Sequence, residues 1–134
     1  MKPATNDYLQ AADRALDKSR IVHGVGLFDE AGRHAYYAMF HAAQATIFER
    51  TSRIAKTHRG VSRQFHLICM SDPQLGTELS SGLSRAYQFK EMADYEVGTI
   101  PPVSPEEATA ALDTAKKFVA QVRQVIEARD QTAS

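Results

Sequence analysis

The segment SPEEATAALDTAKKFVAQVRQVIE, Ser104 to Glu127, commits the C-terminal part of the chain to a long amphipathic helix. Ser104 has the side chain of an N-cap, Pro105 suits the first helical position, and Glu107 three residues after Ser104 completes a capping box. Beyond that start, Ala108, Ala111, Leu112, Ala115, Phe118, Val119, Val122, Val125 and Ile126 fall on one stripe, while Lys116, Lys117, Arg123 and Glu127 lie elsewhere. A stripe of that length must be buried against other elements. The rest of the chain supplies helices for the purpose: glycine is sparse, tryptophan is absent, and Ala, Leu, Gln, Glu, Lys and Arg dominate. The expected fold is all-α, an antiparallel up-and-down bundle of four to five helices. At 134 residues the chain is expected to form a single domain with its core over about residues 6–128.

Four more helices can be drawn. The first spans about Asn6 to His23, with Asn6 or Thr5 as N-cap, Leu9, Ala12, Leu16 and Ser19 or Arg20 at helical spacing, and a stop at HGVG, where Gly24 and Gly26 make the turn. The second is capped by Asp29 and runs to about Arg50. TSRIAKTHRG reads as a basic loop, followed by a short helix from Val61 to Met70. SDPQ starts the fourth, with Ser71 or Asp72 as cap and Pro73 in the first turn, and that helix continues to about Tyr95. VGTIPPVSPEE breaks the pattern, since consecutive prolines favour extended backbone.

Charge and cysteine content narrow the setting. Net charge is zero, but Arg33 to His66 holds six Lys/Arg against one acid, Glu49, a balance of +5, together with four of the five histidines. The first 32 residues balance to −1, and Leu67 to Ser134 to −4. This polarity suits an anionic ligand near the centre, self-association of unlike faces, or an ordinary mixed surface. The lone Cys69 has no partner for a disulfide or a metal site, which fits a reducing compartment. MKPATNDYLQ lacks the apolar core of a signal peptide, and no apolar run approaches the roughly 20 residues of a membrane span. A cytoplasmic protein with no membrane contact is expected.

The second helix carries the chemistry-bearing side chains. In RHAYYAMFHAAQA, Tyr36, Phe40, Ala43 and Ile47 form an apolar stripe, whereas His34, Tyr37, His41, Gln44 and Phe48 form a half-polar one. The half-polar stripe suits a bundle interior with paired polar atoms, a dimer surface or the border of a cleft. No metal is expected, because His34 and His41 are two turns apart with no carboxylate on that face.

AYYAMFHAAQA, then KTHRG, then ADYE, then the SPEEATAALDTAKKFV helix together resemble the HEPN family, and within it the small stand-alone prokaryotic branch often encoded beside a minimal nucleotidyltransferase. The resemblance extends over roughly Tyr8 to Ile126. It implies a four- or five-helix bundle that usually forms homodimers, in a family where many members are metal-independent ribonucleases and toxins of toxin–antitoxin pairs. The ribonuclease motif is an Arg followed four to six residues later by His, so that the His exchanges a proton while the Arg holds charge on phosphorus. Arg53 and His58 in RIAKTH have that spacing, but the counterpart by position is KEMADY, where Lys90 replaces the Arg and Asp94 and Tyr95 occupy the His region. His34 stands where the branch commonly has Arg, with Arg33 one position earlier.

The candidate residues follow. His41, His58 and Asp94 are the catalytic candidates; Lys56, His58, Arg59 and Lys90 are candidates for holding a phosphate or ligand; His34, Tyr37, His41 and Tyr95 are candidates for a cleft or interface. If the second helix packs on the fourth, Tyr37, His41, His58, Lys90 and Asp94 can meet. The alternative is structural, with Asp94 paired to Lys90 or Arg85, Tyr95 under the proline loop, and KTHRG capping a helix. Three functions remain open: a homodimeric module that binds a nucleotidyltransferase partner, RNA or a nucleotide; an active ribonuclease toxin; or a ligand-free bundle. No glycine-rich phosphate loop or magnesium-type carboxylate pair is present, and no cofactor is expected.

Overall fold

The computed structural model describes residues 1–95 and 103–133. Among them are five helices and no strand: α1 (Pro3–Gly24), α2 (Phe28–Thr51), α3 (His58–Ser71), α4 (Thr77–Asp94) and α5 (Pro105–Ala133). The fold is an all-α bundle with α2 at its centre, packed against each of the other four helices. Its sequence explains why it can occupy that place. Ala31, Gly32, Ala35, Ala38, Ala42, Ala43 and Ala45 are all buried, and such small side chains let neighbouring helices approach from several directions. A Cβ built on Gly32 would overlap the Phe89 ring at Cε1, so a larger residue there would have to displace that ring.

The apolar stripe of α5 closes the core. Leu112, Ala115, Phe118, Val119, Val122, Val125 and Ile126 join Leu9 and Ala12 of α1, Met39 and Ile47 of α2, Val61 and Phe65 of α3, and Leu83 of α4 in one cluster. The rings of Phe65 and Phe118 meet with centroids 5.4 Å apart. The capping box forms as expected: Glu107 N–H donates to Ser104 Oγ at 3.1 Å, and Ser104 N–H donates to Glu107 Oε1 at 3.2 Å. Gly26, at φ +83°, supplies the left-handed residue after α1, and Leu27 N–H closes the turn on the Val22 carbonyl at 2.9 Å.

Other boundaries differ from the sequence expectation, at α1 and α2 because side chains there bond to distant partners and at α3 and α4 because of local turns. Helix α1 begins at Pro3, before Thr5 and Asn6; Thr5 is buried, and Glu49 at the end of α2 accepts from Lys2 N–H and from the Thr5 hydroxyl. Lys2 Nζ in return donates to the Phe48 carbonyl and to Ser52 Oγ, placing a cation at the C-terminus of α2. Asp29 is not the cap of α2, which starts one residue earlier; its carboxylate lies in the first turn and accepts from Val103 N–H at 3.1 Å. Helix α3 begins at His58 rather than Val61, because the Thr57 hydroxyl accepts from Gly60 N–H as N-cap. Neither Ser71 nor Asp72 starts α4. Asp72 follows α3, accepts from Gln74 N–H in the connecting turn and pairs with Arg50 at 2.5 Å, and α4 begins at Thr77 after Gly76 at φ +75°. The expected break at Pro101 and Pro102 lies outside the described residues.

The central role of α2 makes its alanines sensitive to size. Replacing fully buried Ala42 by Leu is expected to lower stability by about 1–3 kcal/mol through overpacking, while Ala120→Leu on the exposed side of α5 changes it by less than about 0.5 kcal/mol. Urea midpoints of the two variants against the parent check this.

Candidate functional site

Packing of α4 on α2 brings the end of α4 against the first turns of α2 and the start of α3. Tyr36 belongs to the apolar stripe of α2 and is only 4% exposed, so its hydroxyl needs an internal partner. His58, the first residue of α3, supplies it: Nδ1 lies 2.6 Å from the Tyr36 hydroxyl oxygen. The opposite wall is Tyr87 of α4, whose ring stacks on the His58 imidazole with centroids 3.5 Å apart and planes at 9°. His58 is thereby fixed in position by a hydrogen bond from one helix and a ring face from another.

Electrostatics fix its protonation state. Burial lowers the His58 pKa below the usual 6.5, assisted by Lys90, while Glu91 opposes the shift. Burial raises the pKa of Tyr36, with Tyr87, Tyr37 and Glu91 acting in the same direction, so the phenol keeps its proton. With the phenol protonated and the imidazole neutral, a Tyr36 hydroxyl that donates to Nδ1 leaves the ring N–H on Nε2. Tyr87 donates to Glu91, a bond that raises its own pKa.

Beside the ring cluster lies an ion network. Asp94 accepts from Lys90 Nζ at 2.8 Å, one helical turn earlier, and from Arg33 Nε across the α2–α4 contact. Arg33 also pairs with Glu30 and donates through Nη2 to the Ala93 carbonyl at 3.0 Å, satisfying the end of α4. Burial alone would raise the Asp94 pKa, but the bonds from Lys90 and Arg33 outweigh it and hold the carboxyl below its usual value. The bond to Asp94 raises the Lys90 pKa despite partial desolvation. Lys90 Nζ also stands 5.9 Å from the Tyr87 ring centroid, linking the ion network to the stacked pair.

The structure thus brings together Tyr37, His58, Lys90 and Asp94 of the expected residues, Tyr37 being in ring contact with Tyr36 and within the field of Lys90. His41 is placed differently. Its Nδ1 lies 2.9 Å from Gln44 Oε1, and Gln44 Nε2 donates to the Ala55 carbonyl, so this pair anchors residues 52–57 to α2. His34 is half-buried, with Glu30 at 3.8 Å and an edge contact to Tyr37; burial lowers its pKa, and Lys18 and Arg33 add to the shift against Glu30. Lys56 and Arg59 are exposed, and so is Arg53, whose backbone N–H donates to Thr51 Oγ1. Tyr95 ends α4 and is 60% exposed; the proline loop expected above it lies outside the described residues. Asp94 pairs with Lys90, as the structural alternative has it, but its second cation is Arg33 rather than Arg85.

The stripe pattern of α2 places Tyr36 in the core and does not point to Tyr87. The available signal was spacing: Tyr87, Lys90 and Asp94 share one face at i, i+3 and i+7. Among the described residues no group of His, Cys, Asp and Glu is arranged for a metal, and no helix is long and apolar enough to cross a membrane.

The depressed pKa values of His34 and His58 fix a pH dependence. Since the unfolded chain binds these protons more readily, their contribution to stability is complete above about pH 6.5 and is lost as pH falls through their folded-state values. Urea unfolding at pH 7.5 and 5.5 is expected to show a lower midpoint at 5.5, and the His34→Gln/His58→Gln double variant a smaller difference between the two.

The comparisons with known proteins agree with this architecture. A UPF0332 protein of Archaeoglobus fulgidus is 32% identical over 120 residues, covering 88% of this chain and 91% of its own. Two proteins of Methanocaldococcus jannaschii, each named a "putative toxin", are 25% identical over 118 residues, covering 88% of this chain and 85% and 78% of theirs. The family model described as HEPN domain matches residues 5–125, the span from α1 through the apolar stripe of α5, and the chain belongs to the HEPN domain family.

Proposed function

We propose that this HEPN protein is a homodimeric binding module that engages a nucleotidyltransferase-type partner and RNA or a nucleotide, in a toxin–antitoxin or stress-response pair. The observation that carries this reading is the engagement of the groups a ribonuclease would need. Asp94 is held ionised by two cations and has no proton to give near neutral pH. His58 Nδ1 lies 2.6 Å from the Tyr36 hydroxyl, and with that hydroxyl donating, the ring presents Nε2–H as a neutral hydrogen-bond donor rather than a base. Lys90 keeps its charge but is tied to Asp94, and it lacks the forked geometry with which Arg grips a phosphoryl group. Such an arrangement suits holding a ligand or a partner in place. The names of the two archaeal relatives support the toxin–antitoxin setting, and the excess of positive charge from Arg33 to His66 supports an anionic ligand.

Purified protein is expected to sediment as a dimer, to retain a co-expressed nucleotidyltransferase on an affinity column, and to leave labelled single-stranded RNA intact. Cleavage of that RNA, abolished by His58→Ala in a folded dimer, would establish the alternative of a metal-independent ribonuclease. A monomer that retains no such partner would overturn the binding-module reading.

A further inference from the structure

Away from the α2–α4 cluster, α3 and α4 enclose an open groove of about 610 Å³ whose lining is made of hydrogen-bond donors. Arg59 and Arg63, one helical turn apart, line the α3 side, and Arg85 stands on α4. The α4 side is otherwise serine, including Ser80 and Ser84. None of these three arginines forms an ion pair among the described residues, and no carboxylate lines the groove. His66 is held at its edge: the Ser80 hydroxyl donates to the Thr77 carbonyl at 2.9 Å and can therefore only accept from His66 Nδ1, at 2.9 Å. His66 thus keeps Nε2 free of that bond.

We infer that this groove is a binding site for a chain of phosphates, read through its oxygens and not through any base. The inference rests on the binding-module reading above and gives its anionic ligand a location and a chemistry. The guanidinium groups of Arg59 and Arg63, with Arg85 at the border between this groove and the cavity beside Gly82, are fork-shaped donors that match phosphate oxygens, and the short hydroxyls of Ser62, Ser81 and Ser84 add neutral donors without blocking approach. The cavity is larger than one phosphate group needs, so a ligand with several in succession fits better than a lone ion. Phe, Tyr and Trp are missing from the lining, and one face of the His58 ring at the groove's end is covered by Tyr87, so the walls offer little aromatic surface for a base beside their several phosphate donors. Both an RNA strand and inorganic polyphosphate present this chemistry.

Fluorescence anisotropy on the full chain, with a labelled single-stranded RNA oligomer as probe and inorganic polyphosphate as competitor, tests the inference. Wild type is expected to bind the RNA with a steep salt dependence, and polyphosphate is expected to displace it. Arg63→Ala and Arg85→Ala, confirmed as folded by circular dichroism, should each weaken binding about tenfold and lower the log–log salt slope by about 0.7 per lost cation. Arg63→Lys should recover part of the loss, and Lys116→Ala, on the exposed side of α5, should leave binding unchanged. RNA binding that neither arginine substitution weakens would overturn the groove while leaving the binding-module reading intact. RNA binding that polyphosphate does not compete would overturn recognition through phosphates alone. Wild type that binds neither probe would overturn both the groove and the RNA part of the reading, with retention of the nucleotidyltransferase still deciding the protein-partner part.

Discussion

Everything in this bundle depends on the small-residue surface of α2. A helix contacted by four others cannot carry a single apolar stripe; it must be thin on several sides, and its buried Ala and Gly residues make it so. The close approach of α4 at Gly32 follows from this, with the Phe89 ring where any Cβ would be. Larger side chains appear only where a neighbour leaves room, as at Tyr36 and Met39. The bulk that fills the remaining space comes from outside α2, chiefly from Phe65 and Phe118.

That packing also creates the polar cluster. Because α4 lies close to α2, Arg33 can reach the last turn of α4, and Tyr87 can face Tyr36 with His58 against both. Each polar atom brought into the contact acquires a partner: the Tyr36 hydroxyl has His58, Asp94 has two cations, and the Ala93 carbonyl has Arg33. The consequence is chemical as well as structural. Burial keeps His58 as the neutral ring, and the bonds from Lys90 and Arg33 keep Asp94 as the carboxylate.

Much of this was legible in the residues themselves. The capping box at Ser104 and the stripe behind it are local signals, and they survive into the fold because hydrogen bonds within four residues do not depend on what packs nearby. The starts of α1 and α2 depart from the local pattern for the converse reason. Glu49 caps α1 from more than 40 residues away, and Asp29 serves the backbone before α5 instead of its own helix. Lys90 and Asp94 form an i, i+4 pair that helical spacing predicts, whereas the role of Arg33 required knowing that α2 meets the end of α4. His41 and His58 look alike in sequence; only the paths of their neighbours separate a side chain paired with the anchor of residues 52–57 from a ring stacked on Tyr87 and hydrogen-bonded to Tyr36.

A His58 held as a neutral donor would carry its proton on Nε2, and its two ring nitrogens report on that directly. Nitrogen-15 chemical shifts of the His58 imidazole, measured on the folded protein at pH 7, are expected to show an unprotonated Nδ1 and a protonated Nε2, with titration below the ordinary histidine range. Tyr36→Phe should shift that tautomer balance. A charged imidazolium at pH 7, or a neutral ring with its proton on Nδ1, would contradict the account.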